Sequence, residues 1–148
     1  MCLEDDTTRV LTGASDSTSI LWDALSGKEL FKFHHDVAVK YVDFSIGDEL
    51  SLHVTDKIMG KPPAIKVYRM ADDVQDQLDV PLREMQCSDF PERINMAKFG
   101  AFNETILSVD GFGRIQKWDT ETGKILQNVS AHDDAILAFD MDAKRIQV

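Results

Sequence analysis

The chain has 148 residues, 43% of them hydrophobic, and a formal net charge of −10. That is enough chain to bury one core, and the acidic balance excludes a broad nucleic-acid face, which needs clustered Lys and Arg to neutralise phosphates. No apolar run reaches bilayer-spanning length and the polar start MCLEDDTTR reads as no secretory or transit leader; Cys2 and Cys87 make neither a metal spacing nor a disulfide framework, so a reducing compartment is expected.

In chain order, Val10–Ala14 and Ser19–Trp22 are predicted strands across a polar turn, and Glu29–Phe33 follows the turn Ser26-Gly27-Lys28. Val39–Ser45 and Leu50–Thr55 pair about Ile46-Gly47-Asp48. The connection 56–63 leads to a strand at Ile65–Tyr68, and the connection Met70–Asp79 leads to one near Pro81–Cys87. Ile94–Phe99, Thr105–Val109, Ile115–Trp118 and Ile125–Ser130 run through the next four, with a turn at Glu121-Thr122-Gly123. Ile136–Met141 opens another, and a partner strand starts near Ile146–Val148.

These strands repeat. Leu11–Asp23 reads LTGASDSTSILWD and Leu107–Asp119 reads LSVDGFGRIQKWD, each followed by a small turn and a strand, ALSGKEL and TETGKIL. Trp22 and Trp118 stand 96 positions apart, twice a spacing of about 48. Midway lies AIKVYR, with Tyr68 in place of Trp and Arg69 in place of Asp. A period of that order, with Trp-Asp closing a strand, predicts four-stranded β-propeller blades of the WD40 type. The expected fold is all-β: about two and a half blades of an incomplete propeller. Residues 9–33 form a partial blade lacking its innermost strand, 37–87 and 92–130 form full blades, and 135–148 begin another. Propellers close with roughly four to eight blades, so the chain reads as a piece of a larger ring.

Blades of this kind are pinned by a His before the innermost strand, a Ser or Thr on the second, an Asp in the following turn and a Trp on the third. The indole only donates, and when buried it needs an acceptor. Here the set is scattered. The first blade has Thr12, Asp16, Trp22 and Asp23; the second has His35 and Tyr68. The third has Ser108, Trp118 and Asp119, with Phe112 at the position of Asp16, and His132 opens the next. With no set complete, blade packing is expected to lean on apolar burial.

His34-His35-Asp36 and His132-Asp133-Asp134 also suit a metal site or an acid–base pair. A useful site would need more ligands converging, and the repeat already assigns both His35 and His132 to equivalent turns. Gly111-Phe112-Gly113 lacks the third glycine and the helix of a nucleotide fingerprint, and no Ser or Cys sits in a nucleophile elbow. The expectation is a non-enzymatic protein with no cofactor. Recognition would concentrate in the two insertions, 56–63 and 70–79, unless these are plain spacers.

His34–Met70 (HHDVAVKYVDFSIGDELSLHVTDKIMGKPPAIKVYRM), LTGASDSTSILWDALSGKEL before it and INMAKFGAFNETILSVDGFGRIQKWDTETGKIL after it resemble the subunit I family of eukaryotic translation initiation factor 3. The resemblance covers nearly all of Arg9–Met141 and is most specific over Phe44–Gly60. It implies a seven-bladed WD-repeat propeller, matched from the second blade to the start of the fifth. It further implies a non-catalytic scaffold in a cytoplasmic complex, holding chiefly the b and g subunits. That complex loads the small (40S) ribosomal subunit with initiator tRNA and mRNA in the 43S preinitiation complex; the subunit itself would make little nucleic-acid contact and none with a membrane. The alternative within the same fold is a signalling adaptor like the serine-threonine kinase receptor-associated protein, against which the Phe44–Gly60 segment weighs.

Overall fold

The computed structural model describes residues 2–3, 9–45, 49–58, 61–86 and 93–140. They form three antiparallel four-stranded sheets, each laid down in chain order from one edge to the other. The first holds β1 (Cys2–Leu3), β2 (Arg9–Gly13), β3 (Thr18–Asp23) and β4 (Glu29–His34). The second holds β5 (Val39–Phe44), β6 (Leu50–Thr55), β7 (Ala64–Arg69) and β8 (Arg83–Gln86). The third holds β9 (Ile94–Phe99), β10 (Thr105–Asp110), β11 (Arg114–Asp119) and β12 (Ile125–Ser130). Successive sheets stack through their first two strands, β2 against β5 and both β5 and β6 against β9. The architecture is that of a partial WD40-type propeller.

Two boundaries differ from the sequence expectation. The first blade does not lack its innermost strand: Cys2 and Leu3 pair with Leu11 and Val10. Two residues are too few for a period-two pattern to register. Ile136–Asp140, expected as the first strand of a further blade, joins no ladder. It lies along β9 instead, where Asn95 Nδ2 donates to the Ile136 carbonyl at 2.8 Å and Lys98 Nζ reaches Asp140 at 3.2 Å. A strand forms only against a hydrogen-bonding partner, and the partner expected near 146–148 lies outside the described residues, as do the turn 46–48, Cys87 and the segment 88–92.

The core is two apolar layers between sheets. Leu11, Leu21 and Phe33 of the first sheet meet Val39, Val42, Phe44, Tyr68 and Met70 of the second. Leu52, Val54, Ile65, Val67 and Met85 meet Ile94, Ala97, Phe99, Ile106 and Trp118 of the third. The middle sheet is therefore covered on both faces, and in β6 Ser51, Leu52, His53, Val54 and Thr55 are all buried. Alternation sends Leu52 and Val54 one way and Ser51, His53 and Thr55 the other. The first interface is close: a side chain at Gly13 would bring its Cβ to 2.6 Å from Val39 Cγ1. Glycine lets β2 lie against β5 there.

Candidate functional site

In each sheet the third strand carries its large aromatic on the face toward the preceding sheet. Trp118 meets the second sheet and Tyr68 the first. Trp22, with no sheet described on that side, is half-buried, while Trp118 is 2% exposed. Each indole donates to a hydroxyl on the neighbouring second strand: Trp22 Nε1 to Thr12 Oγ1 at 2.9 Å, Trp118 Nε1 to Ser108 Oγ at 2.8 Å. Thr12 stands opposite Ile20 and Ser108 opposite Gln116, in both cases the residue two before the Trp.

In the middle sheet the residue two before Tyr68 is Lys66, and opposite it stands His53. His53 therefore occupies the hydroxyl's place where tyrosine replaces tryptophan. Its ring packs edge-on against Tyr68 at 4.7 Å and against Phe33 at 4.9 Å. It is fully buried and hydrogen-bonded on both nitrogens: Nδ1 to Ser19 Oγ at 2.6 Å, across to the first sheet, and Nε2 to Ser51 Oγ at 2.9 Å. Ser19 Oγ also bonds His35 Nε2 at 2.6 Å, so His35 and His53 grip one serine between two sheets.

The buried His35 Nδ1 has no partner. A bare acceptor lone pair is cheaper to bury than an unpaired N–H. This favours one polarity, in which His35 Nε2–H donates to Ser19, Ser19 donates to His53 Nδ1, and His53 Nε2–H donates to Ser51. That chain needs both imidazoles neutral. Burial, helped by the Lys66 ammonium, pulls His35 down to about 4. Burial also drives His53 well below the ordinary imidazole value, with His35 and Lys66 adding to it. Burial pushes the Tyr68 phenol upward. A sealed serine between two imidazoles offers a substrate no approach, so this cluster is a clamp between sheets.

The third sheet is pinned differently. Asp110, 1% exposed, accepts from the Phe112 and Arg114 backbone amides at 2.9 and 3.0 Å, from Arg114 Nε at 2.8 Å and from Gln116 Nε2 at 3.1 Å. Ser108 Oγ in turn donates to Gln116 Oε1 at 3.0 Å, which joins Trp118, Ser108, Gln116 and Asp110 in one network. Asp110 thus holds the turn after the second strand, two residues ahead of the position matched to Asp16. Asp16 itself is exposed and accepts only locally, from Thr18 N and Oγ1 at 3.1 and 2.6 Å; that hydroxyl holds its carboxyl below the usual range. Replacing Asp110 by Asn should lower stability by about 1 kcal/mol, because an amide NH2 would face donors that a carboxylate accepts. Urea denaturation of the variant checks this.

Asp23 and Asp119 build matching turns. Each Oδ1 accepts the amide two residues on, Leu25 at 3.0 Å and Glu121 at 2.9 Å, and each carbonyl accepts the amide of Gly27 or Gly123 at 2.8 Å. Both glycines have positive φ, 72° and 75°. Arg69 has no such carboxylate. Buried Gln77 secures the longer loop instead, donating to the Arg69 carbonyl at 2.9 Å and accepting from Ala71 N at 2.9 Å. Asp79 then reaches His34 of the first sheet, at 3.0 Å from its Nδ1. The end of the 70–79 insertion therefore clasps the neighbouring blade. His132, expected to match His35, is exposed. The position in the third sheet that matches Ser19 is Ile115, which has no hydroxyl to bond. Among the described residues no three of His, Cys, Asp and Glu converge as metal ligands, and no helix is long and apolar enough to cross a membrane.

No protein-family model matches the chain. It is similar to eukaryotic translation initiation factor 3 subunit I of Rattus norvegicus and of Homo sapiens, each 30% identical over 140 residues, which is 92% of this chain and 42% of those proteins. The subunit I of Oryctolagus cuniculus is 30% identical over 131 residues, 88% of this chain and 39% of that protein. The chain thus spans under half the length of these relatives. The crystal structure of the computationally designed Ika8 protein superposes with a TM-score of 0.70 at 22% identity, covering 95% of this chain and 39% of that one; this likeness concerns the fold alone. Similar in sequence along nearly its whole length and built of the sheets just described, the chain is a partial WD-repeat protein that resembles subunit I of eukaryotic translation initiation factor 3.

Proposed function

We propose that this protein is a non-catalytic scaffold subunit of translation initiation factor 3, working in the cytoplasm. There it supports assembly of the 43S preinitiation complex and mRNA recruitment to the 40S subunit through protein partners, chiefly subunits b and g. The observation that carries this reading is the similarity to subunit I over 92% of the chain. The site chemistry agrees with it. Ser19, His35 and His53 are engaged in joining the first sheet to the second, and both indoles are bonded to hydroxyls within their own sheets. The charge of −10 leaves little capacity for phosphate neutralisation.

Tagged at its own gene and purified, the protein should bring down the other factor 3 subunits and sediment with small ribosomal subunits. Its association with the factor 3 subunits should survive ribonuclease. Recovery free of initiation factors but bound to a membrane receptor kinase would instead establish the signalling-adaptor alternative.

A further inference from the structure

A cleft of about 630 Å³ opens between the second and third sheets, at the end that carries the β11–β12 turn. Its walls are apolar where the sheets meet, with Leu50 and Val67 from one side and Leu126 from the other. Leu82 and Leu126 are 54% and 56% exposed, although Val67 beside Leu82 is sealed. The third sheet contributes three carboxylates to the rim, Glu104, Asp119 and Glu121, and the second sheet contributes one cation, Arg83. Thr120 also lines the cleft; it is buried, and its hydroxyl has no hydrogen-bond partner within the fold.

Exposed leucines in a concave site of this volume, which falls in the range that takes a few side chains, form a recognition surface rather than scattered surface apolarity. The acidic rim decides what it recognises. With three carboxylates against the single Arg83 guanidinium the rim is net acidic, and an acidic or neutral segment would leave most of those carboxylates facing like charge or nothing. A segment that places leucine-sized side chains on the floor and Lys or Arg at the edge satisfies both.

The geometry points to this cleft as a docking groove for a basic, leucine-bearing segment of a partner protein. The apolar floor supplies the anchor, and Glu104 and Glu121 select for cationic flanks and speed encounter. The groove rests on the second and third sheets and owes nothing to which complex the protein joins, so its test stands apart from the co-purification above.

The test measures binding by fluorescence anisotropy to the whole chain, using a fluorescein-labelled synthetic peptide of Lys-Leu-Leu-Arg repeats and a control of Glu-Leu-Leu-Asp repeats. Near-UV circular dichroism verifies the fold of each variant. The basic peptide should bind and the acidic one should not. Glu104→Lys with Glu121→Lys should weaken binding about tenfold, and Leu82→Ser with Leu126→Ser should do the same. Asp72→Lys with Asp133→Lys changes net charge equally but lies away from the cleft, and should change affinity less than about twofold. Equal losses for the two charge reversals would reduce the effect to the acidity of the whole chain and overturn the proposal. Absence of binding, or indifference to the leucine changes, would overturn it as well.

Discussion

Replacing Trp118 with Ala should lower the stability of the folded chain by about 3–5 kcal/mol, whereas the same change at Trp22 should cost about 1–2 kcal/mol. The two residues close matching strands and make the same indole-to-hydroxyl bond, so a view confined to the repeat would give them equal weight. Their difference is cover. Trp118 is 2% exposed and sits in the apolar layer with Leu52, Val54 and Ile106. Its truncation leaves a void that the second and third sheets hold open, and removes the donor to Ser108 Oγ. Trp22 lies half-buried on the face of the first sheet away from the second, so water already meets much of its ring. Urea midpoints of the two variants decide the matter. Equal effects would mean that Trp22 is covered in solution by something else, a further blade or another copy.

The second large effect is expected with acid. Between pH 6.5 and 4 the folded chain should lose stability steadily. An unfolded His35 binds a proton near pH 6.5, whereas the folded one resists until about pH 4. The unfolded state therefore binds more protons throughout that window and gains on the folded state as pH falls; below pH 4 the His35 contribution levels off. His35 is partly open to solvent and should account for about 1–2 kcal/mol after screening. Fully buried His53 adds in the same direction and extends the loss to lower pH.

Asp16 and Asp36 do not mimic this. Asp16 and Asp36 are held below 3.8 by the Thr18 hydroxyl and by Lys61 respectively, so their contribution is lost only as the pH falls through that lower range. Chemical denaturation at half-unit pH steps measures the slope. A flat midpoint between pH 6.5 and 4.5 would show that the imidazoles do not titrate with folding. A chain carrying His35→Gln and His53→Gln, if it folds, should lose the slope while keeping the carboxylate transition.

The blades, their order and the hydroxyl–indole pairs were legible in the sequence because each rests on contacts within one sheet. Period-two alternation, the Trp-Asp-x-x-x-Gly turns and the ten-residue offset from Thr12 to Trp22 and from Ser108 to Trp118 are local regularities, set by strand geometry and by what an aspartate beside a positive-φ glycine can bond. The same offset misled where local spacing was altered. It assigned the turn position of the third blade to Phe112, although Asp110, two residues earlier, reaches the Arg114 amide that corresponds to the Thr18 amide bonded by Asp16. The 56–63 insertion broke the count from Tyr68 back to His53, so that histidine was not singled out.

How the sheets meet is set by their stacking and not by any local pattern. Leu52 and His53 are adjacent in one strand and both wholly buried, but one faces the third sheet and the other the first. Nothing in the local pattern says that a strand will be covered on both faces until its neighbours are in place. His35, Ser19 and His53 come from three separate strands or turns and meet because β2 and β5 close tightly over Gly13. The cleft between Leu82 and Leu126 likewise belongs to two sheets at once. Hydrogen bonds within a hairpin follow from sequence neighbours, while burial and the proton affinities it shifts follow from the stacking of blades, which no single repeat contains.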